Sequence, residues 1–472
     1  MGQANVATHF ALRAEGLHIG KLRLNWLVIV LSVCIVARLG ILLAFPWVFA
    51  FDQTGAVHGS EAYDTYAQNI LSTGVHGRVP NVPDAAIPPG YSYALAVVYA
   101  IFGRGYMQVG IFHILLDCLS LAALIAVGTK LLNRSVGVLA ALMYALYPYL
   151  IFQNLTVIDT PLFMMLMFGF LWCAVLLRER RSTPLAILAG VILAAGALTR
   201  PVMVLIAPMV GVWLLFRLPF WEAVRRLLPV AIMSGLCIIP WQAFTYQTYQ
   251  AFVPVATNGG MNFWFGSNPY TVPLLRAGFH PQWVRPNEPV RTYDTRLAND
   301  DLYQIAFNYL RANPQQIPEL LWVKFLAYWS IDVYPSRNPI PGATPILDYQ
   351  GQVRFKMDDG NEIDLSGLPE NDPVAAYSST LFDVIGRTVH RFYFGGLFVL
   401  ALAGLVLTAK RWRDVSLIWL VQMVMTAFYV IYIPATRYRV PTDPLLFLFS
   451  AVALLALWQF LIARRAAGQK RT

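Results

Sequence analysis

The chain has 472 residues, 57% of them hydrophobic and 13% charged. Soluble domains carry about 25% charged residues, so a water-soluble globule with one core and a disordered chain are both excluded, and a polytopic membrane protein is indicated. The net charge of +10 does not point to nucleic acid, because the basic residues stand in short clusters between apolar runs, the pattern that sets membrane orientation.

The first apolar run, 26–47, follows a basic segment with Arg13, Lys21 and Arg23. It exceeds the roughly 7–15 residues of a signal-peptide core and reads as an uncleaved first span. A hydrophilic stretch, 48–106, comes next. Within it, 61–71 reads as a helix with Tyr63, Ala67, Ile70 and Leu71 on one face. The run 91–103 follows Pro88-Pro89-Gly90 and is too short to span, so it suits a re-entrant or interfacial helix. Further spans are expected at 107–129, 135–153, 160–177, 184–199, 201–216 and 228–245. A second hydrophilic stretch, 246–392, holds a helical piece at 300–311 and an apolar piece at 318–331 that carries Lys324 and suits the membrane interface. Spans at 393–409, 416–433 and 441–463 complete a predicted set of ten.

With the N-terminus in the cytoplasm, ten spans put Lys130/Arg134, Arg178/Arg180/Arg181, Arg217/Arg225/Arg226, Lys410/Arg411/Arg413 and Arg464/Arg465/Lys470/Arg471 on the same side. Counting 91–103 as a span would reverse them all. Both hydrophilic stretches then face outward. The large one occurs once, so the halves do not mirror each other as inverted-repeat transporters do.

Residues able to do chemistry collect on that outer side. The first loop offers Asp52, Glu61, Asp64 and Asp84. A carboxylate on the Glu61 helix can serve as general base or as an ordinary first-turn acid. Asp159 opens a span before Pro161, which suits a helix cap equally well. Arg200, Arg437 and Arg439 lie at outer span ends, where the positive-inside rule disfavours them, and Lys324 is a fourth outer cation. Four cations at one membrane face suggest a lipid-phosphate site; snorkelling is the plainer alternative. The loop 257–269 sets Asn258, Asn262 and Asn268 among glycines and aromatics, a composition that suits sugar rings. Arg38 and Asp117 lie inside spans and are able to pair there. Cys34, Cys118, Cys173 and Cys237 read as small buried hydrophobes. The histidines are scattered, and no phosphate-loop, nucleophile-elbow or metal-ligand motif is present.

The order of these features resembles the GT-C glycosyltransferases of the protein-O-mannosyltransferase and lipid A aminoarabinose transferase type (glycosyltransferase family 39). The resemblance covers most of the chain. It runs from the helix Glu61–Asn69 through Pro88-Pro89-Gly90-Tyr91, Tyr147-Pro148, Asp159, Thr199-Arg200-Pro201 and the loop 258–269 to Lys324 and Arg437-Tyr438-Arg439-Val440-Pro441. One departure stands out: the family's acid about four residues before the helix Tyr falls on Gly59 here. The resemblance implies a polyprenyl-phosphate sugar donor used on the extracytoplasmic face of the inner membrane. It implies that Asp159 shapes the acceptor or metal region, which admits a divalent cation. It also implies that Arg200, Lys324 and Arg439 hold donor phosphate, and it adds Tyr63 and Tyr91 to the substrate-binding candidates.

The expected fold is an all-α polytopic membrane protein of about ten transmembrane helices. Juxtamembrane helices occupy its first outer loop, and one large mixed extracytoplasmic loop follows. The expected modules are 1–245, containing the catalytic loop 48–106, then the loop region 246–392 and the C-terminal helices 393–472. The expected activity is inverting transfer of a sugar to a glycan, lipid or protein acceptor. Two alternatives are a flippase of lipid-linked sugars and a ligase using a polyprenyl-diphosphate donor.

Overall fold

The computed structural model describes residues 17–19, 22–45, 60–281, 284–336, 343–348, 353–357, 360–364 and 380–469. A hairpin of β1 (Leu17–Ile19) and β2 (Leu22–Leu24) precedes α1 (Trp26–Ala44), which Asn25 caps by accepting from the Leu27 amide. The first polar stretch forms α2 (Ser60–Thr73). Pro89 then starts α3 (Pro89–Phe102), whose 14 residues fall short of a bilayer crossing. After α4 (Tyr106–Leu131), the span expected at 135–153 is two helices, α5 (Arg134–Ala145) and α6 (Pro148–Gln153). Pro148 has no amide to donate and pushes Tyr147 out of helical geometry, so the chain breaks there. Next come α7 (Thr160–Glu179) and α8 (Thr183–Thr199), each with proline in its first turn, then α9 (Met203–Leu215) and α10 (Phe220–Tyr249).

The large loop contains α11 (Gly259–Phe265), α12 (Thr271–Arg276), α13 (Thr295–Ala312) and α14 (Ile317–Tyr328). It also holds an antiparallel sheet of β3 (Ala343–Leu347), β4 (Val353–Met357) and β5 (Glu362–Asp364) in that order, with Ile346 opposite Arg354 and Phe355 opposite Ile363. Phe355 anchors the sheet by packing on Phe279 at 5.3 Å. The chain returns to the bundle with α15 (Thr380–Leu407), α16 (Trp412–Ile431), the single turn α17 (Thr436–Arg439) and α18 (Asp443–Gln469).

Among the described residues, seven helices are long and apolar enough to cross a membrane: α1, α4, α7, α10, α15, α16 and α18. The shorter apolar helices α5, α8 and α9 occupy the other runs read as spans. The chain is a multi-pass membrane protein. Small residues bring its helices close, as they do where lipid supplies no hydrophobic drive. A Cβ on Gly190 of α8 would lie 2.7 Å from the Val230 carbonyl of α10, and one on Gly404 of α15 would lie 1.9 Å from the Phe449 carbonyl of α18.

The charges inside the bundle are paired. Arg38 donates to Asp117 at 2.5 Å and to the Ala145 carbonyl, and Tyr144 and Asn154 also donate to Asp117. At one end of the bundle, Arg178 and Arg217 bridge to Asp414, Lys130 to Glu179, and Arg226 and Arg411 reach helix-end carbonyls. The cysteines are all free thiols; Cys34 and Cys173 are buried, while Cys118 and Cys237 are half-buried.

Candidate functional site

At the opposite end, the helix termini and the large loop enclose a cavity of about 900 Å³. Stretches far apart in sequence wall it. The start of α2 brings Tyr63, the link from α6 to α7 brings Gln153 and Asp159, and the turn between α8 and α9 brings Arg200. The large loop brings Asn258, Asn262, Asn299 and Tyr303. The C-terminal helices bring Arg387, His390, Tyr432 and Arg437.

Asp159 precedes α7 at its capping position, yet its side chain makes no cap bond. Both carboxylate oxygens instead accept from Arg200, each at 2.6 Å, and Arg200 also donates to the Thr160 hydroxyl. Burial opposes the Arg200 charge, but Asp159 more than offsets it and holds the guanidinium protonated. Its remaining nitrogen, Nη1, is buried without a hydrogen-bond partner. Arg437 donates to the neighbouring Tyr438 hydroxyl at 2.5 Å and lies over that ring at 4.7 Å. Burial pushes the Tyr63 phenol well above its ordinary range, and the Asp159 charge adds to this, so it acts as a neutral hydrogen-bonding group.

Several residues singled out from sequence lie off this wall. Lys324 is 1% exposed and donates to the carbonyls of Gly266, Ile431 and Tyr432. The open face of α14 carries Leu321, Trp322 and Phe325, so the lysine turns into the protein and the aromatics turn away from it. Burial pulls the Lys324 ammonium down to about 7, while its three carbonyl partners favour the proton. Arg439 is 0% exposed, paired with Asp443 at 3.2 Å, bonded to the Tyr328 and Ser330 carbonyls and stacked over Phe394 at 3.7 Å. The expected four-cation cluster therefore divides: Arg200 and Arg437 face the cavity, whereas Lys324 and Arg439 tie backbone segments together behind it.

Among the first-loop acids, Asp64 accepts from Tyr99, Gln68 and, through both oxygens, Arg104. Asp84 accepts from the Tyr66 hydroxyl and from the Arg78 and Ala86 amides, closing its own loop. Asp52 lies outside the described residues. Glu61 lies on α2 immediately before the cavity residues Ala62 and Tyr63, and its side chain lies outside the description. Tyr91 is buried beneath Tyr63, edge-on at 5.0 Å, with its hydroxyl on His113 Nε2. Of the three loop asparagines, Asn258 and Asn262 reach the cavity. Asn268 bonds the Trp264 carbonyl and the Tyr270 amide, fastening the turn instead.

Among the described residues, no three His, Cys, Asp or Glu side chains gather as metal ligands. The one carboxylate on the described wall has both oxygens on Arg200.

The sequence reading missed Arg387, His390, Tyr149 and Tyr303 on the wall. Arg387 and His390 carried the same signal that marked Arg200, polar residues at a span end. The apolar run was counted from residue 393, just beyond them.

A family model for dolichyl-phosphate-mannose-protein mannosyltransferases matches residues 86–244. No curated protein sequence matches the chain. The oligosaccharyltransferase of Archaeoglobus fulgidus, in complex with Zn and sulfate, is similar at a TM-score of 0.53, with 14% identity over 93% of this chain and 50% of its own. The same organism's oligosaccharyltransferase AglB, with an inhibitory peptide and a dolichol-phosphate, gives 0.52 and 13% over 94% and 51%. ArnT from Cupriavidus metallidurans, bound to undecaprenyl phosphate, gives 0.42 and 12% over 92% and 77%. The chain thus spans about half the length of the archaeal enzyme.

Proposed function

We propose, from the likeness in fold to the archaeal oligosaccharyltransferase and the family-model match over 86–244, that this chain is a membrane glycosyltransferase of the GT-C type taking a sugar from a polyprenyl-phosphate carrier. The observation that carries this reading is the balance of charge on the described cavity wall. Arg200, Arg387 and Arg437 face one carboxylate, Asp159, within a largely aromatic and apolar lining. On the described wall cations outnumber carboxylates, although Arg387 also donates to the Val333 and Pro335 carbonyls. A phosphate monoester is an anion at neutral pH, which is the state of the lipid phosphate once its sugar has left.

The acceptor oxygen attacks C1 of the sugar from the face opposite the phosphate. The C1–O bond breaks, its electron pair stays on the phosphate, and the arginines stabilise the growing charge. Asp159 holds Arg200 in position for this. The acceptor's proton passes to a first-loop carboxylate, assigned to Glu61 from its place beside Ala62 and Tyr63, with Asp52 as the alternative. A single displacement inverts the sugar centre. Asn258, Asn262 and Tyr303 supply hydrogen bonds suited to sugar hydroxyls. The basic clusters of the opposite bundle end predict that the cavity faces away from the cytoplasm.

Purified full-length protein in detergent, given a polyprenyl-phosphate sugar and a mixture of cell-envelope acceptors, is expected to release polyprenyl phosphate. Absence of release from any lipid-linked sugar rejects the proposal, since a flippase moves the lipid without cleaving it. Competition between mono- and diphosphate carriers is expected to favour the monophosphate; the reverse preference establishes the ligase reading. Glu61→Gln is expected to lower kcat by about 10²–10⁴-fold, and normal turnover in both it and Asp52→Asn rejects a first-loop base.

A further inference from the structure

One face of α15 adds to the cavity an imidazole, His390, that the mechanism above leaves without a role. His390 lies three residues after Arg387, so both point the same way from the helix. Both line the cavity. The imidazole is 1% exposed, and neither ring nitrogen has a hydrogen-bond partner. A neutral imidazole has one donor and one acceptor, and leaving either unmet in a buried place is costly. The ring is not loosely placed: Tyr147 stacks on it at 5.7 Å, Phe394 at 5.8 Å, and Tyr149 touches it at 5.5 Å. A rigid, buried, unsatisfied polar ring at a cavity wall is arranged for a ligand atom.

The surrounding charges specify that atom. Arg387 on the same helix and Arg439 on α17 both face His390. Among the described side chains, Asp443 of α18 is engaged by Arg439 and by the Tyr147 hydroxyl. Tyr149, the third member of the patch, lies within the fields of Arg437, Arg439, Arg387 and Arg200 together. Positive charge converges here on two neutral hydrogen-bonding groups, a phenol and an imidazole, so an anionic oxygen is favoured over a sugar hydroxyl.

We propose that His390, with Tyr149 and Arg387, forms the seat of a phosphate monoester in the cavity, His390 and Tyr149 donating hydrogen bonds to its oxygens. This rests on the glycosyltransferase reading for the identity of the phosphate, which is the headgroup of the lipid carrier. Arg200 and Arg437 then meet the same group from the Asp159 side.

The test is binding of farnesyl phosphate, and separately of inorganic phosphate, to full-length detergent-solubilised protein by calorimetry. Histidine ¹⁵N resonances are recorded in parallel. Wild type is expected to bind farnesyl phosphate more tightly than inorganic phosphate and to shift one buried histidine signal that is missing in His390→Phe. His390→Phe keeps the stacking and is expected to bind about tenfold more weakly. His390→Asn, which restores a donor, is expected to recover part of the loss. Thermal unfolding near that of wild type in either variant excludes a folding artefact. Unchanged affinity in both variants, with no histidine shift, overturns this inference alone. Failure of wild type to bind farnesyl phosphate at all overturns the carrier reading along with it. Equal affinity for inorganic phosphate overturns the assignment to a lipid headgroup.

Discussion

The pairs Arg200–Asp159 and Arg439–Asp443 look alike in sequence and differ in what surrounds them. Each arginine stands near a proline at the end of a span, in Thr199-Arg200-Pro201 and in Arg439-Val440-Pro441. Each guanidinium lies over a phenylalanine ring, Phe163 at 5.1 Å and Phe394 at 3.7 Å. Each even keeps one buried nitrogen without a partner. Arg439, however, also binds the carbonyls of Tyr328 and Ser330, and its aspartate takes a further bond from Tyr147. It thereby joins α14, α17, α18 and α6. Arg200 donates side-chain hydrogen bonds to Asp159 and Thr160, binds no backbone carbonyl through them, and borders the cavity. The comparison separates a fastener from a ligand site by the company each arginine keeps.

Breaking the fastener has the largest expected effect. Arg439→Gln leaves Asp443 buried without its counter-ion, a loss of roughly 3–5 kcal/mol. The expected result is little folded protein in detergent and a sharply lowered unfolding temperature. A variant of normal stability that merely loses transfer would move Arg439 to the site side of the comparison. Arg200→Gln is expected to do the reverse. Asp159 borders the cavity instead of tying helices together, so the fold is expected to persist while kcat falls by about 10²–10³-fold, or ~2.7–4 kcal/mol of barrier. The double variant Asp159→Asn/Arg200→Gln removes the orphaned charge and is expected to regain any lost stability without regaining turnover. Recovery of activity in the double variant would sink the role given to Arg200.

The same comparison marks the limit of what sequence reveals. Helix positions followed from apolar run length, because a bilayer admits few alternatives, and 135–153 erred only where Pro148 divided it. Polar residues at outer span ends were also visible, since they oppose the positive-inside bias. Where they point was not. Lys324 sits among aromatics in sequence, but the helix turns it inward onto three carbonyls. Tyr91 follows the Pro-Pro-Gly turn, yet it packs beneath Tyr63 instead of beside it. His390 depends on contacts with Tyr147 and Tyr149, more than 200 residues away, which no local pattern encodes. The strands β3 to β5 likewise gave little alternation to read, as Pro345 interrupts the first of them.

Smaller effects sharpen the division between wall and fasteners. Lys324→Met removes the donor shared by the Gly266, Ile431 and Tyr432 carbonyls and keeps the apolar stem. A loss of ~1–3 kcal/mol is expected from the unmet acceptors, read as a lower unfolding temperature with KM for the donor unchanged. A raised KM at normal stability would return Lys324 to the phosphate site.

The smallest effect belongs to Asp64, and it is the most discriminating test of the first loop. Asp64 and Glu61 share α2, but Asp64 is taken up by Tyr99, Gln68 and the half-exposed Arg104. Asp64→Asn keeps the shape and one acceptor oxygen, and Arg104 can turn toward water, so the stability cost is about 1 kcal/mol. Turnover is expected to stay within about twofold of wild type, because catalytic proton transfer by a side chain is usually worth 10²-fold or more. A drop of that size in Asp64→Asn at preserved stability would mean that α2 presents its other carboxylate to the acceptor. The cavity as described, with Tyr63 and not Asp64 on its wall, predicts that no such drop occurs.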